Sequence, residues 1–271
     1  MSGLAELGPL WLVGCGNMGG ALLRAWLAAG LPAGDVLVID PADGPAVAPG
    51  VRWVATVPAD AAPPRTLVLA VKPQLLDAVV PGVAAHAGAD TVLVSILAGV
   101  DIPTLRGRFP DVAGIARLMP NLAAAVGRSQ TLLHADDDRA ARVGAALAGA
   151  AGSVEQLPDE GLFDAGTALS GCGPAFLFRF VDALAEAGVA LGIPADMAAR
   201  LALGTVEGSA RFAVASEHAP GALADQVASP GGATREGLNV LDREAGIKPL
   251  LLDTLRAAAR RSRELADAAR A

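Results

Sequence analysis

Aromatic residues and positive charges are scarce in this chain. Of its 271 residues only 3% are aromatic and none is tyrosine, while 21 Lys and Arg stand against 28 Asp and Glu, for a net charge of −7. Nucleic-acid binding draws on cations along the phosphate backbone and on aromatic stacking platforms. The composition therefore argues against a nucleic-acid partner.

Cysteine and histidine are also few. Cys15 and Cys172 lie far apart, so they predict neither a disulfide framework nor a paired metal-ligand motif. The three histidines are scattered, and we expect surface or loop positions for them rather than a metal site. Residues 1–6 lack the positive leader of an export signal, so we expect a protein of the reducing cytoplasm.

A long uncharged apolar run is missing, although 53% of the residues are hydrophobic. The longest stretch without Asp, Glu, Lys or Arg is 7–23, and glycines interrupt it repeatedly, which indicates a loop rather than a membrane-spanning helix. The same apolar content excludes a disordered protein. We expect a well-packed protein without a membrane partner.

The chain divides into two parts. A length of 271 residues suggests two domains at roughly 150 residues each. Up to residue 157, short β-branched runs alternate with helical patterns, which predicts a parallel sheet with crossover helices. The expected strands are 10–13, 36–39, 51–54, 66–71, 91–96, 112–118, 131–134 and 154–157, and the expected helices are 18–29, 74–85 and 138–148. We predict an α/β Rossmann-type dinucleotide-binding domain at 1–158 and an all-α domain at 159–271.

The first strand leads into a GxGxxG motif at the start of a helix. Gly14 permits the tight turn, Gly16 leaves room for a pyrophosphate, and Gly19 allows the helix to approach the sheet. The free N–H groups at the helix start favour an anion. We predict a dinucleotide site at Gly14, Gly16 and Gly19 and at the start of the helix.

Three further positions fit this site. Asp40 follows the second strand, where a carboxylate accepts hydrogen bonds from ribose hydroxyls and repels a 2′-phosphate; the alternative is a plain Asp-Pro turn. The loops after the fourth and fifth strands should border the cofactor, because ligands lie off the carboxyl ends of the strands. The end of the fourth strand and its loop contain Ala70, Val71, Lys72 and Pro73, and the loop after the fifth strand contains Ala98 and Gly99. Lys72 would neutralise a cofactor phosphate or lie near the nicotinamide; the alternative is a solvated lysine in a turn.

A second glycine-containing loop, 229–234, precedes a helix in the all-α part. Backbone N–H groups at Gly232, Ala233 and Thr234, with the hydroxyls of Ser229 and Thr234, would hold a carboxylate. An ordinary interhelical turn with a Thr cap is the alternative.

Over nearly its whole length the sequence resembles the pyrroline-5-carboxylate reductase family. The most specific stretch is Asp225-Gln-Val-Ala-Ser-Pro-Gly-Gly-Ala-Thr-Arg-Glu-Gly-Leu-Asn-Val-Leu241, with support from Ala70-Val-Lys-Pro73, Met119-Pro-Asn121 and Ser170-Gly-Cys-Gly-Pro-Ala175. The resemblance implies reduction of 1-pyrroline-5-carboxylate to L-proline with NADPH or NADH, the last step of proline synthesis. It also implies a helical domain that interlocks with a second subunit and further assembly into a decamer.

The resemblance assigns residues to the cofactor, namely Val13, Gly14, Cys15, Gly16, Asn17 and Met18 with the loops 70–73 and 98–99, and further residues to the substrate. Ser229 and the Gly232–Thr234 backbone would bind the carboxylate, Thr234 would act in catalysis beside the ring nitrogen, and Glu217 would lie at the edge of the pocket. Asp40 departs from the family, in which many members carry a small hydroxyl residue suited to NADPH. We therefore expect NADH to be usable.

Two rivals remain at this point. One is a two-domain reductase for another imine or a hydroxy acid; such enzymes often carry a lysine on the first long helix of the second domain, and residues 167–191 contain none. The other is a dinucleotide-sensing regulator, which would not need the loop 229–234.

Overall fold

The computed structural model describes residues 3–42 and 49–270, and its contacts divide the chain into two compact units. The first unit comprises Met1–Cys172 together with Ala258–Ala271, and the second is Gly173–Ala257. The first unit is built around a sheet, whereas the second consists of helices.

The sheet has eight strands in the order β3-β2-β1-β4-β5-β6-β7-β8. They are β1 (Leu10–Val13), β2 (Val36–Ile39), β3 (Arg52–Val54), β4 (Thr66–Leu69), β5 (Val92–Ser95), β6 (Gly114–Met119), β7 (Ser129–Ala135) and β8 (Gly152–Gln156). The strands from β1 to β6 pair in parallel, so their carboxyl ends share one edge of the sheet. This edge carries the predicted dinucleotide loops.

The expectation of an entirely parallel sheet is wrong at one pairing. β7 runs antiparallel to β6, and β8 is parallel to β7. Only a short 3-10 turn, Leu122–Val126, connects β6 to β7. A parallel return needs a crossover of about a dozen residues or more, usually a helix, so this short connection reverses the strand direction.

Helices cover both faces of the sheet. The helices of the first unit are α1 (Asn17–Ala28), α2 (Leu76–Val83), α3 (Ile102–Arg108), α4 (Asp138–Gly149) and α5 (Phe163–Gly166). Helices α1 and α4 pack on the face that includes Leu10 and Leu12, whereas α2 and α3 pack on the face of Trp11 and Val13. Because both faces are covered, β1 and β2 are apolar and buried at every position. The sequence predicted α1, α2 and α4 but not the shorter α3 and α5.

The second unit leaves much apolar surface uncovered. Its helices are α6 (Gly173–Ala190), α7 (Ala195–Ala215), α8 (Pro220–Gln226), α9 (Ala233–Leu241) and the first part of α10 (Ile247–Arg270). No residue of α6 is buried, and Phe178 is 60% and Phe212 63% exposed. Exposed apolar side chains in this number are typical of a surface that binds another protein.

Along the sequence, the compact units divide at Cys172/Gly173 and again at Ala257/Ala258. Phe163 is buried in a small core with Met119 and Leu132, which ties α5 to the sheet. The hydroxyl of Ser262, in the last part of α10, donates a 2.6 Å hydrogen bond to Asp164 Oδ1. These contacts assign the segments around both residues to the first unit.

Within the described part of the chain, the helical stretch Glu160–Ala190 is long and apolar enough to cross a membrane by length and composition alone. An apolar helix face that binds another protein surface has the same composition.

Candidate functional site

The glycine-rich turn after β1 is shaped by close backbone contacts. Gly14 has φ +89°, and a Cβ there would lie 2.8 Å from both Ala70 O and Val71 Cγ1. A Cβ on Gly19 would lie 2.5 Å from Gly14 O. Around Gly16, in contrast, no heavy atom lies within 4 Å of the Cβ position. Gly14 and Gly19 therefore allow neighbouring backbone segments to pack closely at the turn, whereas Gly16 faces open space.

A cleft of about 580 Å³ opens beside this turn. Seven predicted cofactor residues line it, namely Val13, Gly14, Gly16, Asp40, Ala70, Val71 and Lys72. Asn17 and Met18 begin α1, and Pro73 begins a 3-10 turn after Lys72. The cleft, the open space at Gly16 and the uncapped start of α1 fit a dinucleotide with its pyrophosphate at the turn.

The far wall of the cleft includes residues that sequence reasoning missed. Thr56 and Val57 follow β3, and Val79 belongs to α2. Since β3 is parallel to β2, its carboxyl end lies at the same edge of the sheet as Asp40. The rule that ligands bind beyond the carboxyl ends of parallel strands could have identified the segment after β3.

Asp40 is held by backbone amides. The Cys15 N–H donates to its Oδ2 at 2.7 Å and the Ala42 N–H donates to its Oδ1 at 2.9 Å. A carboxylate oxygen has two acceptor sites, so each oxygen retains capacity for a ribose hydroxyl. Asp40 therefore joins the glycine-rich turn to the end of β2 and fixes its own carboxylate in the cleft.

Cys15 contributes its backbone rather than a reactive thiol. Its side chain is buried. Burial, assisted by the nearby Asp40 carboxylate, raises the pKa of the Cys15 thiol. The thiol therefore stays neutral and unreactive at physiological pH.

The loop after β5 carries Ala98, which is exposed, and Gly99, which is buried. Gly99 has φ +77°, and a Cβ there would lie 3.1 Å from the backbone N of Ala266 on α10. Neither residue lines the cleft described above. Their contact with the cofactor stays a prediction.

The substrate residues predicted from the sequence lie in the second unit. The loop 229–234 turns at Gly231, with φ +70°, and the Gly232 N–H donates to Ser229 O at 3.0 Å. A Cβ on Gly232 would lie 2.6 Å from Ser229 Oγ, so the serine hydroxyl is next to the start of α9. A 2.9 Å ion pair between Asp225 and Arg235 braces the turn.

This geometry changes the predicted anion ligands in one respect. The Gly232 N–H is already used inside the turn, whereas no side chain caps α9 within the described residues. The amides of Ala233 and Thr234 at the helix start are thus the ones offered to an anion. Glu217 lies exposed in the connection between α7 and α8.

Among the described residues, no group of three or more His, Cys, Asp or Glu side chains could hold a metal ion. His134 lies in β7, with Nδ1 3.0 Å from Leu157 O, and His86 packs against Trp11.

The fold and the cleft define a Rossmann-type dinucleotide-dependent oxidoreductase with a separate helical unit. Residues 10–99 match the family model described as coenzyme F420-dependent NADP oxidoreductase, and residues 160–265 match the one described as pyrroline-5-carboxylate reductase dimerisation. The pyrroline-5-carboxylate reductase of Pseudomonas aeruginosa is 34% identical over 266 residues, covering 94% of this chain and 96% of the relative. The enzyme of Synechocystis sp. is 42% identical over 205 residues, covering 74% of this chain and 75% of the relative. The chain belongs to the pyrroline-5-carboxylate reductase family.

Solved structures agree with this assignment. A pyrroline-5-carboxylate reductase from Coxiella burnetii has a TM-score of 0.87 at 28% identity and covers 96% of this chain and 98% of its own. A pyrroline carboxylate reductase from Plasmodium falciparum, solved with NADP bound, has a TM-score of 0.83 at 25% identity, with 96% and 99% covered. The resemblance stated from the sequence and the predicted fold class are confirmed.

Replacing Gly16 by valine should abolish cofactor binding without unfolding the protein. Its Cβ position has no neighbour within 4 Å, so the new side chain would enter only the space expected for the pyrophosphate. Calorimetric titration with NADH and NADPH should detect no binding, with an unchanged melting temperature. Gly34→Val, also into open space but outside the cleft, is the control. Normal binding by Gly16→Val would refute the placement of the pyrophosphate.

Proposed function

We propose that the chain reduces 1-pyrroline-5-carboxylate to L-proline with a reduced nicotinamide dinucleotide, and that the predicted residues divide this work between the two units. The observation that carries the proposal is that a chain with a dinucleotide cleft matches pyrroline-5-carboxylate reductases across both units. Neither of the two rival functions, a reductase for another substrate or a dinucleotide-sensing regulator, explains a match to this reductase family over 94% of the chain.

The first unit holds the cofactor. Gly16 and the start of α1 receive the pyrophosphate, Asp40 receives the adenosine ribose, and Ala98 and Gly99 lie at the nicotinamide end. When bound, the reduced nicotinamide supplies the hydride that reduces the C=N carbon of the cyclic imine. Lys72 is exposed at the mouth of the cleft and has no ion-pair partner among the described residues, so it is available to a cofactor phosphate.

The second unit holds the substrate. The Ser229 hydroxyl and the amides of Ala233 and Thr234 bind the carboxylate, and the Thr234 hydroxyl orients the ring nitrogen. A protonated imine already carries the charge that makes its carbon electrophilic, so no strong general acid is required. The contribution of the protein is orientation, which can supply about 7–11 kcal/mol of the barrier in well-aligned reactions. Glu217, exposed between α7 and α8, is assigned to the edge of this pocket.

The helical unit associates with a second copy. The match to a dimerisation model over 160–265 supports self-association, and the exposed apolar side chains of α6 and α7 supply the surface for it. We propose a homodimer in the cytoplasm, with the decamer implied by the family resemblance as the larger assembly and with no membrane partner. The boundary of 158/159 remains our proposal for the functional domains.

The direct test is absorbance at the nicotinamide band after 1-pyrroline-5-carboxylate is added to the purified protein with NADH or with NADPH. We expect oxidation of the cofactor with matching accumulation of L-proline. Binding of both cofactors without oxidation of either would refute the substrate assignment.

Asp40 should allow the protein to use NADH at least as well as NADPH. Its carboxylate lies in the cleft, and residues 41–51 contain no Lys or Arg to neutralise a 2′-phosphate. Asp40→Ser should raise the ratio of kcat/KM for NADPH to that for NADH by about tenfold or more, equivalent to about 1.4 kcal/mol. Asp60→Ser, at an exposed residue outside the cleft, is the control. A strong NADPH preference in the unmodified protein would contradict the role of Asp40.

Thr234→Ala should lower kcat with little change in cofactor affinity. Loss of a hydrogen bond to a charged group costs about 1.5–3 kcal/mol, or roughly ten- to a hundredfold in rate. Thr254→Ala, which removes an exposed hydroxyl bonded only to its own helix at Leu250 O, should leave the rate unchanged. An unchanged rate in Thr234→Ala would remove this residue from the mechanism.

A further inference from the structure

A partly buried ion pair lies beside the loop that follows β5. Arg117, in β6, has a side chain only 7% exposed, and its Nη1 is 2.6 Å from Glu160 Oε1. The guanidinium also lies 4.0 Å above the ring of Phe163. Because a buried arginine is costly without such partners, the carboxylate and the ring together fix Arg117, and Arg117 in turn fixes Glu160.

Glu160 makes a second contact, and this one reaches the loop. The same Oε1 accepts a 2.9 Å hydrogen bond from the N–H of Ile102, the first residue of α3. N–H groups at a helix start have no partner within the helix, and a negative charge there is favourable. Glu160 therefore anchors the point at which the loop 96–101 becomes helix.

The rest of this loop is held by the sheet and by α10. At its beginning, the Ile96 N–H donates to Leu69 O at 3.0 Å and the Leu97 N–H donates to Ser95 Oγ at 3.2 Å. At Gly99, the backbone of Ala266 leaves no room for a side chain. At its end, Asp101 Oδ1 accepts a 2.9 Å hydrogen bond from the Thr104 N–H within the same segment. Among these contacts of the loop, only the one at Ile102 depends on a charged side chain remote in sequence.

We infer that Glu160, held in place by Arg117, is a positioning residue for the loop 96–101 and thereby for the nicotinamide ring. The inference rests on the proposed function, in which Ala98 and Gly99 border that ring. Neither Glu160 nor Arg117 lines the cleft. Loss of their contact should therefore misplace the reacting end of the cofactor without removing the pyrophosphate and ribose contacts.

A second ion pair provides a matched control at the other end of the same helix. Arg108, the last residue of α3, pairs with Asp77 at 2.7 Å. The pair is more exposed, and Asp77 does not line the cleft. Asp77→Asn removes a charge that pairs with the last residue of α3, at the end remote from the loop 96–101. It therefore distinguishes an effect of α3 stability on kcat from an effect of the position of the loop.

The experiment compares Glu160→Gln, Glu160→Ala and Asp77→Asn with the unmodified enzyme. Glu160→Gln keeps an oxygen for Ile102 but loses the charge, whereas Glu160→Ala loses both. We expect kcat for 1-pyrroline-5-carboxylate to fall by about ten- to a hundredfold in Glu160→Ala, as for a misplacement near 1 Å, and by less in Glu160→Gln. The Kd for NADH should stay within about threefold, since the cleft contacts remain. Hydrogen exchange of peptides spanning 96–104 should become faster in both variants but not in Asp77→Asn.

The outcomes are distinguishable. Folded Glu160 variants with normal kcat and normal exchange at 96–104 would overturn the inference, as would an equal loss in Asp77→Asn. If Glu160→Ala does not fold, the kcat of Glu160→Gln and its hydrogen exchange at 96–104 test the inference. If the unmodified enzyme oxidises neither NADH nor NADPH with this imine, the proposed function fails, and exchange alone then tests whether Glu160 restrains the loop.

Discussion

The first unit depends on one close approach, that of the start of α1 to the end of β1. Gly19 leaves no space for a Cβ against Gly14 O, and Gly14 leaves none against Ala70. This contact sets the helix on the sheet and brings the loop after β4 beside the glycine-rich turn. It also directs the free N–H groups of α1 toward the cleft, so the packing that stabilises the fold and the geometry that binds an anion have the same origin.

The two units differ in how completely each buries its own apolar residues. The sheet has helices on both faces and a fully buried interior, whereas the second unit has few buried residues and many exposed apolar side chains. The helical unit therefore needs another surface to cover its exposed apolar side chains. The match of 160–265 to a dimerisation model agrees with that division.

Sequence patterns predicted the features that depend on local chemistry. The strands at 10–13 and 36–39 have the predicted bounds, and the glycines of the first motif lie where the turn requires them. The direction of β7 was not predicted. It depends on the length of the connection from β6 to β7, and the sequence pattern placed the ends of these two strands only approximately. The two amide contacts of Asp40, the wall formed by Thr56 and Val57, and the pairing of Arg117 with Glu160 were also missed, since each joins segments that are adjacent only after folding.

The contact between Gly99 and Ala266 joins residues that a ribosome makes at very different times. The complete sheet, through β8, leaves the ribosome before α10 is synthesised. Contacts of such long sequence separation form late, because the chain between them must first be closed into a loop. A nascent chain that ends before α10 already contains the eight described strands, while the loop after β5 still lacks its neighbour. Gly99 can therefore acquire its contact with Ala266 only after nearly all of the 271 residues have been synthesised.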